Sequence, residues 1–298
     1  MLYSFFQHEN ADIALFEKEL FKSLDKVYHL YISVLALFTD LHHNAHLVID
    51  EHKNKRLPTE SDLNPNLKFI NNSLLVSLSE SRDLKNEIER QKISWIDNQD
   101  VVRKLYNEII ASEDYKTYMT STESGIKEDR NLLINIIVNH FDEHDLLNHV
   151  FEEQNIHFAD DTFLAFNSAI RTFETFDGKF KLMPLLKDAE DDKLFVSSLF
   201  RKTIQYKAQY EELIQAHTKN WELDRIANMD MLLMKMAIAE ILHLKNVPVK
   251  VSLNEYIDIS KEYSTPNSKT FVNGVLDKII LQLKTEGKIE KAGRGLQE

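Results

Sequence analysis

Two pairs of histidines stand four residues apart, His42 with His46 and His140 with His144, with Asp50 near the first pair and Asp145 beside the second. Histidines at i and i+4 share one face of a helix and can chelate a metal. The glutamate of the zincin pattern is absent from the second position of either pair, so the enzyme this spacing suggests is a helical His/Asp metal phosphohydrolase. The competing reading is that polar histidines on helix faces are usually solvated or satisfied by neighbours. A second chemistry is suggested near the C-terminus. Thr265, Pro266 and Asn267 interrupt a helical pattern, and Asn267 or Ser268 can cap a final helix running through Lys284. That helix start carries Lys269, and no acidic residue lies from Tyr263 to Leu276. Unpaired backbone N–H groups, the positive end of the helix dipole and an ammonium therefore meet at one place, which suits a phosphate.

The elements that must position these groups are helical. Apolar residues recur at helical spacing along nearly the whole chain and strict alternation is scarce, which predicts an all-α fold. Six glycines in 298 residues is about 2%, against a usual ~7%, too few for an all-β fold, a dinucleotide-binding fingerprint or a P-loop. Zero cysteines remove disulfides, thiolate metal sites and cysteine nucleophiles. The opening MLYSFFQHEN lacks the basic region, apolar run and cleavage site of a secretory signal, and no stretch reaches the ~18 apolar residues of a membrane span. The expectation is a cytoplasmic protein that makes no membrane contact.

A long helix is predicted from Ile13 to Lys53, with Leu20, Leu24, Tyr28, Tyr31, Leu35 and Phe38 on one stripe, and then a linker from Lys53 to Asn66 holding Pro58 and Pro65. Helical patterns resume over Ser73–Ile110, Lys127–Gln154 and Asp161–Phe176, where Phe166, Phe173 and Phe176 read as core. Gly178 and Pro184 break the chain again, and the charge changes there. Before Lys187 stand 19 basic and 31 acidic residues, and from Lys187 onward 17 of each, so the first part carries the entire net charge of −12. The predicted division is an acidic helical region over 1–186, a helical domain over 187–286 and a disordered tail over 287–298. Nucleic-acid contact belongs on the second domain, because an acidic surface repels phosphates.

Within that domain Phe195, Leu199, Tyr206, Tyr210 and Leu213 predict one amphipathic helix over Lys193–His217, and the acidic run Asp188–Asp192 reads as a helix N-terminus or a solvated face. Asp224–Leu244 leaves almost no polar face, the mark of a central core helix. Ser252 with Glu255 three residues on reads as a capping box. Gly274 lies inside the final helix, where glycine costs roughly 1 kcal/mol relative to alanine, and this predicts a close approach by a neighbouring helix or a ligand.

The runs NWELDRIANMDMLLMKMAIAEIL, VPVKVSLNEYIDISKEYS and SKTFVNGVLDKI, in this order, resemble the C-terminal half of the NusB transcription antitermination family. Trp221, Asp224, Arg225, Pro248, Val251, Asn254, Glu255 and the stretch Phe271–Lys278 carry the resemblance, which covers roughly Asp192–Leu283, and Leu2, Tyr3 and Ser4 resemble the end of the family's first helix. The resemblance implies an all-helical, non-enzymatic RNA-binding factor that needs no cofactor. It further implies pairing with NusE, a small-subunit ribosomal protein, and binding of boxA RNA within the RNA polymerase antitermination complex. It also implies RNA contact at Asn267, Ser268, Lys269 and Phe271, and places Tyr3 and Asp230 near the partner surface. Lys269 would neutralise phosphate, Asn267 and Ser268 would offer hydrogen bonds, and Phe271 would stack on an unpaired base unless it is a core phenylalanine.

The family's arginine-rich run precedes the segment that Met1–Ser4 resemble; the expectation is a start placed at an internal methionine and, for this chain, weak RNA binding alone. Asn267 stands where the family commonly has aspartate, which predicts stronger RNA binding. A protein-interaction module with weakened or lost RNA binding is the competing reading. An RNA methyltransferase carrying such a domain is set aside, since too little chain follows for a catalytic domain. The acidic expansion 11–186 has three open roles: covering the core helices, contacting polymerase or another factor, or self-association as a homo-oligomer.

Overall fold

The computed structural model describes the whole chain except Glu9, Glu143, Ile156, His157, residues 219–225, Gln297 and Glu298, together with the side chains of Ala159, Asp160 and Arg294. Trp221, Asp224 and Arg225, which help carry the family resemblance, lie outside the described residues. The described chain contains helices and no strand. It divides into two compact units, one formed by Met1–Phe21 with Leu186–Glu298 and the other by Lys22–Leu185. The second break falls where the charge changes. The first falls inside a helix, because the opening residues pack with the C-terminal unit instead of the acidic region.

Two helices begin the chain, α1 (Leu2–Gln7) and the long α2 (Ile13–Lys53). The central unit continues with α3 (Glu60–Leu63), α4 (Ser73–Glu80), α5 (Arg82–Gln91), α6 (Gln99–Ala111), α7 (Glu113–Thr120), α8 (Ile126–Ile136), α9 (Asp145–Gln154) and α10 (Phe158–Glu174). The single stripe expected on α2 is too narrow, since every residue from Leu30 to Phe38 is buried and the helix runs through the middle of its unit. Phe38 meets Phe141 and Phe173, each at 5.1 Å between ring centroids. Trp95 donates its indole N–H to the Ser33 carbonyl at 3.1 Å, and the Tyr31 hydroxyl meets Thr172 Oγ1 at 2.8 Å. Such pairing lets polar ends of aromatic residues enter a core without unmet hydrogen bonds.

The C-terminal unit holds α11 (Ala189–Gln205), α12 (Lys207–His217), α13 (Asn228–His243), α14 (Val249–Tyr263) and α15 (Ser268–Thr285). Asp188 caps α11 by accepting the Asp191 amide, as its acidic run suggested. The helix expected over Lys193–His217 is two, broken at Tyr206. That break lays the Tyr206 ring on His243, with centroids 4.9 Å apart, and brings the Tyr210 hydroxyl to His243 Nε2 at 2.9 Å. The central helix α13 is buried nearly all round, yet it carries three buried charged residues, Asp230, Lys235 and Glu240. Each has a partner: the Lys235 ammonium reaches Glu211 at 2.6 Å, and Glu240 accepts the Tyr256 hydroxyl at 2.8 Å. Burial draws the Lys235 ammonium below its ordinary pKa.

Leu2 and Phe5 of α1 pack with Phe200 and Leu232 in a small satellite core. Glu17, at the start of α2, holds Arg201 of α11, and that guanidinium keeps the Glu17 carboxyl below the usual range.

Two local expectations are corrected. Ser252 caps nothing: α14 starts one turn earlier at Pro248, and Ser252, fully buried, already donates its amide to the Pro248 carbonyl inside the helix. Over 287–296, where disorder was expected, the chain folds back on its own unit. Gly287, at φ +64°, ends α15 with Lys288 N–H bonded to the Leu283 carbonyl and its own N–H to Lys284, the Schellman arrangement that favours glycine. The chain then returns along Lys245, whose ammonium meets Glu290 at 2.6 Å and whose carbonyl accepts the Ala292 amide.

Candidate nucleic-acid interface

The candidate site is the corner where α14 passes into α15 beside the start of α13. Pro266 pre-sets the second position of a tight turn, Asn267 takes the third at φ −92°, ψ −8°, and the Ser268 amide closes it on the Thr265 carbonyl at 2.9 Å. These are type I turn values, which proline favours by its fixed φ. Asn267 therefore sits exposed at the apex, and its side chain caps no amide of α15. Ser268 does not cap the helix either. Its hydroxyl is buried, accepts the Thr265 amide at 3.1 Å and donates to Asp230 Oδ2 at 2.8 Å. The hydrogen bond expected from Ser268 to RNA is thus spent within the protein.

Lys269 is exposed, and no ion pair holds it among the described residues. It lines a shallow groove of about 460 Å³ between α14 and α15 with Asn254, Asp258, Lys261, Thr270 and Asn273. Lys261 is paired to Asp258 one turn earlier on α14. Phe271 is half-buried and packs against the core of this unit. Gly274 is exposed, and a Cβ built there would meet nothing within 4 Å. The close approach expected at Gly274 is not made by any neighbouring helix; its backbone is open to solvent.

The two expected partner-surface residues separate. Tyr3 is 44% exposed on α1, whereas Asp230 is 4% exposed and accepts hydroxyls from Ser264 at 2.5 Å and Ser268 at 2.8 Å. Asp230 therefore ties α13 to the turn before α15 from a buried position. Sequence reasoning passed over Lys261 and Ser264 and took Thr265 only as part of a helix break. The hydroxyl run Ser264, Thr265, Ser268 was the available signal, since hydroxyls clustered at a helix break commonly fasten the turn.

The histidine pairs do not form metal sites. His42 is buried, with Nε2 at 2.8 Å from the Ile70 carbonyl and Nδ1 at 2.9 Å from the Ser79 hydroxyl. A carbonyl only accepts, so Nε2 carries the proton and Nδ1 accepts from Ser79, which leaves neither nitrogen for a metal. His140 and His144 never share a helix face, because a π-turn over Ile137–Phe141 ends the first helix and His144 caps α9, accepting the Leu147 amide at 3.2 Å. No group of three or more His, Cys, Asp or Glu side chains among the described residues could hold a metal ion.

A central helix buried on all sides by four others, with the first helix laid across it, defines the class as an all-α bundle with a polar, cation-bearing corner. The NusB family profile matches residues 171–281. Curated transcription antitermination proteins NusB are similar over the same region. That of Salinibacter ruber is 49% identical over 102 residues, which is 34% of this chain and 64% of the relative. That of Chloroherpeton thalassium is 46% identical over 104 residues, 35% of this chain and 49% of the relative. That of Oceanobacillus iheyensis is 39% identical over 100 residues, 34% of this chain and 79% of the relative. The chain belongs to the NusB family. It spans about half to under two thirds of the length of the first two relatives. No helix among the described residues is long and apolar enough to cross a membrane.

Proposed function

We propose that this chain is a non-enzymatic transcription antitermination factor that binds boxA RNA and pairs with NusE, within the RNA polymerase antitermination complex. The observation that carries the reading is Lys269, an exposed lysine held in no ion pair among the described residues, at the start of α15 and on a groove rich in polar side chains. An ammonium without an internal partner beside a helix N-terminus favours a phosphate, and the partly exposed Phe271 stands two residues further along the same helix. The relatives' shared description as transcription antitermination proteins supports the same assignment. Tyr3 is the accessible candidate for partner contact, and Ser268 contributes from beneath the surface.

The segment from Lys187 onward is electrically neutral overall, so the chain alone has few phosphate contacts to offer. Titration of labelled boxA RNA with the chain, with and without NusE, at moderate salt tests this. Weak binding alone and tighter binding with NusE are expected. Equally tight binding by the lone chain refutes dependence on the partner, and absence of RNA binding with NusE present refutes the RNA-binding reading in favour of a protein-interaction module.

A further inference from the structure

We infer that Asp230 is a positioning residue for RNA recognition: from the buried start of α13 it fixes the Thr265–Ser268 turn and so aims Asn267 and Lys269, which flank that turn's last residue. This rests on the RNA-binding reading above and goes beyond it, since the family resemblance places Asp230 at a protein partner.

A carboxylate only accepts, and each hydroxyl has one hydrogen. Ser264 donates to Asp230 Oδ1 at 2.5 Å and Ser268 donates to Oδ2 at 2.8 Å, so both serine hydrogens are committed to the one side chain. The Ser268 hydrogen also lies within reach of Ser264 Oγ at 3.0 Å, but the charged carboxylate at 2.8 Å is the stronger acceptor; the Ser268 oxygen in turn accepts the Thr265 amide at 3.1 Å and the Thr265 hydroxyl at 2.8 Å. One carboxylate on another helix therefore holds the turn at Ser264 and Ser268 directly and at Thr265 through Ser268. Asp230 and Ser268 are both nearly inaccessible, while Asn267 and Lys269 on either side of Ser268 are exposed. A buried network that is fully satisfied specifies one geometry, and one that loses an acceptor does not.

Asparagine at 230 is the sharpest perturbation, because it keeps the shape and turns one acceptor into a donor. That donor faces a hydroxyl oxygen: at Ser268 both lone pairs are already taken, and at Ser264 the hydroxyl must turn away. Salt-dependent titration of boxA RNA with the full chain and NusE distinguishes positioning from mere stability. Loss of folded protein lowers the active fraction without changing the salt slope, whereas loss of Lys269 alignment removes a phosphate contact. Asp230→Asn is expected to lower the slope by about 0.7 and the affinity at physiological salt about fourfold, the worth of one single-strand phosphate contact. Ser268→Ala is expected to do the same and Ser268→Thr to restore it, which keeps the test available if the Asp230 variant fails to fold. In a Lys269→Ala background, Asp230→Asn is expected to lower the salt slope no further, since the remaining aimed residue, Asn267, is uncharged. An unchanged slope in Asp230→Asn or Ser268→Ala, where Lys269→Ala lowers it, overturns the inference alone. Failure of the unaltered chain to bind RNA overturns the reading beneath it.

Discussion

Lys269→Ala isolates the cation on which the RNA-binding reading stands. The side chain is exposed, is in no ion pair among the described residues and lies on the second position of α15, so its removal should cost little stability. What it should cost is one phosphate contact. For single strands each contact contributes a slope of about −0.7 in log affinity against log salt, so the lost factor is about eightfold near 50 mM salt and about threefold near 200 mM. The difference between variant and parent must therefore shrink by a factor of about 2.6 across that range. The assay is fluorescence anisotropy of a labelled boxA oligomer with the chain and NusE at several salt concentrations, with thermal unfolding as the control. A uniform loss at every salt concentration, or no loss at all, refutes Lys269 as a phosphate ligand.

Other outcomes follow from the same geometry. Asn267→Asp adds a negative charge at the exposed turn apex and should weaken RNA binding, while α15 gains about 0.3 to 1 kcal/mol from the charge beside its positive end; tighter binding in RNA titration contradicts the reasoning. Phe38→Ala, which empties the space between Phe141 and Phe173, should cost about 3 to 5 kcal/mol in urea unfolding. Burial depresses the pKa of His42, with His46 and His43 adding to the effect, so the folded state binds fewer protons than the unfolded one near the ordinary histidine pKa of ~6.5. The sign is that stability is complete above that pH and drains as pH falls through it. His42→Gln should flatten this part of the stability profile, measured by denaturant unfolding from near-neutral to mildly acidic pH; an unaltered profile removes His42 as the source.

The helix α2 was legible in the sequence, because apolar spacing from about Ile13 to Lys53 has only one regular solution. Of the aromatic residues read as core, Tyr31, Phe38, Phe166, Phe173 and Phe176 are buried, while Tyr28 is half-buried against the same core. Boundaries failed where a tertiary contact outweighed local preference. Tyr206 breaks a continuous amphipathic pattern to stack on His243, and Pro248 starts α14 ahead of a better-looking cap at Ser252. The expected fraying after Lys284 ignored that Gly287 can turn the chain back onto Lys245.

Residue types and their periodicity, on their own, determined that the chain is helical, that α13 lies at the centre of its unit, and that a cation stands at a helix start free of acidic neighbours. These depend on interactions between residues a few positions apart, which any sequence displays. Only the folded structure decided that Ser268 and Asp230 face each other inside, that Met1–Phe21 belongs with the C-terminal unit, and that His42 spends both nitrogens on protein partners. Those facts join residues 28 to 184 positions apart, such as His42 with Ile70, Asp230 with Ser268 and Glu17 with Arg201. Which polar group is buried depends on what packs over it, and spacing along one helix holds no record of the helix that arrives from elsewhere.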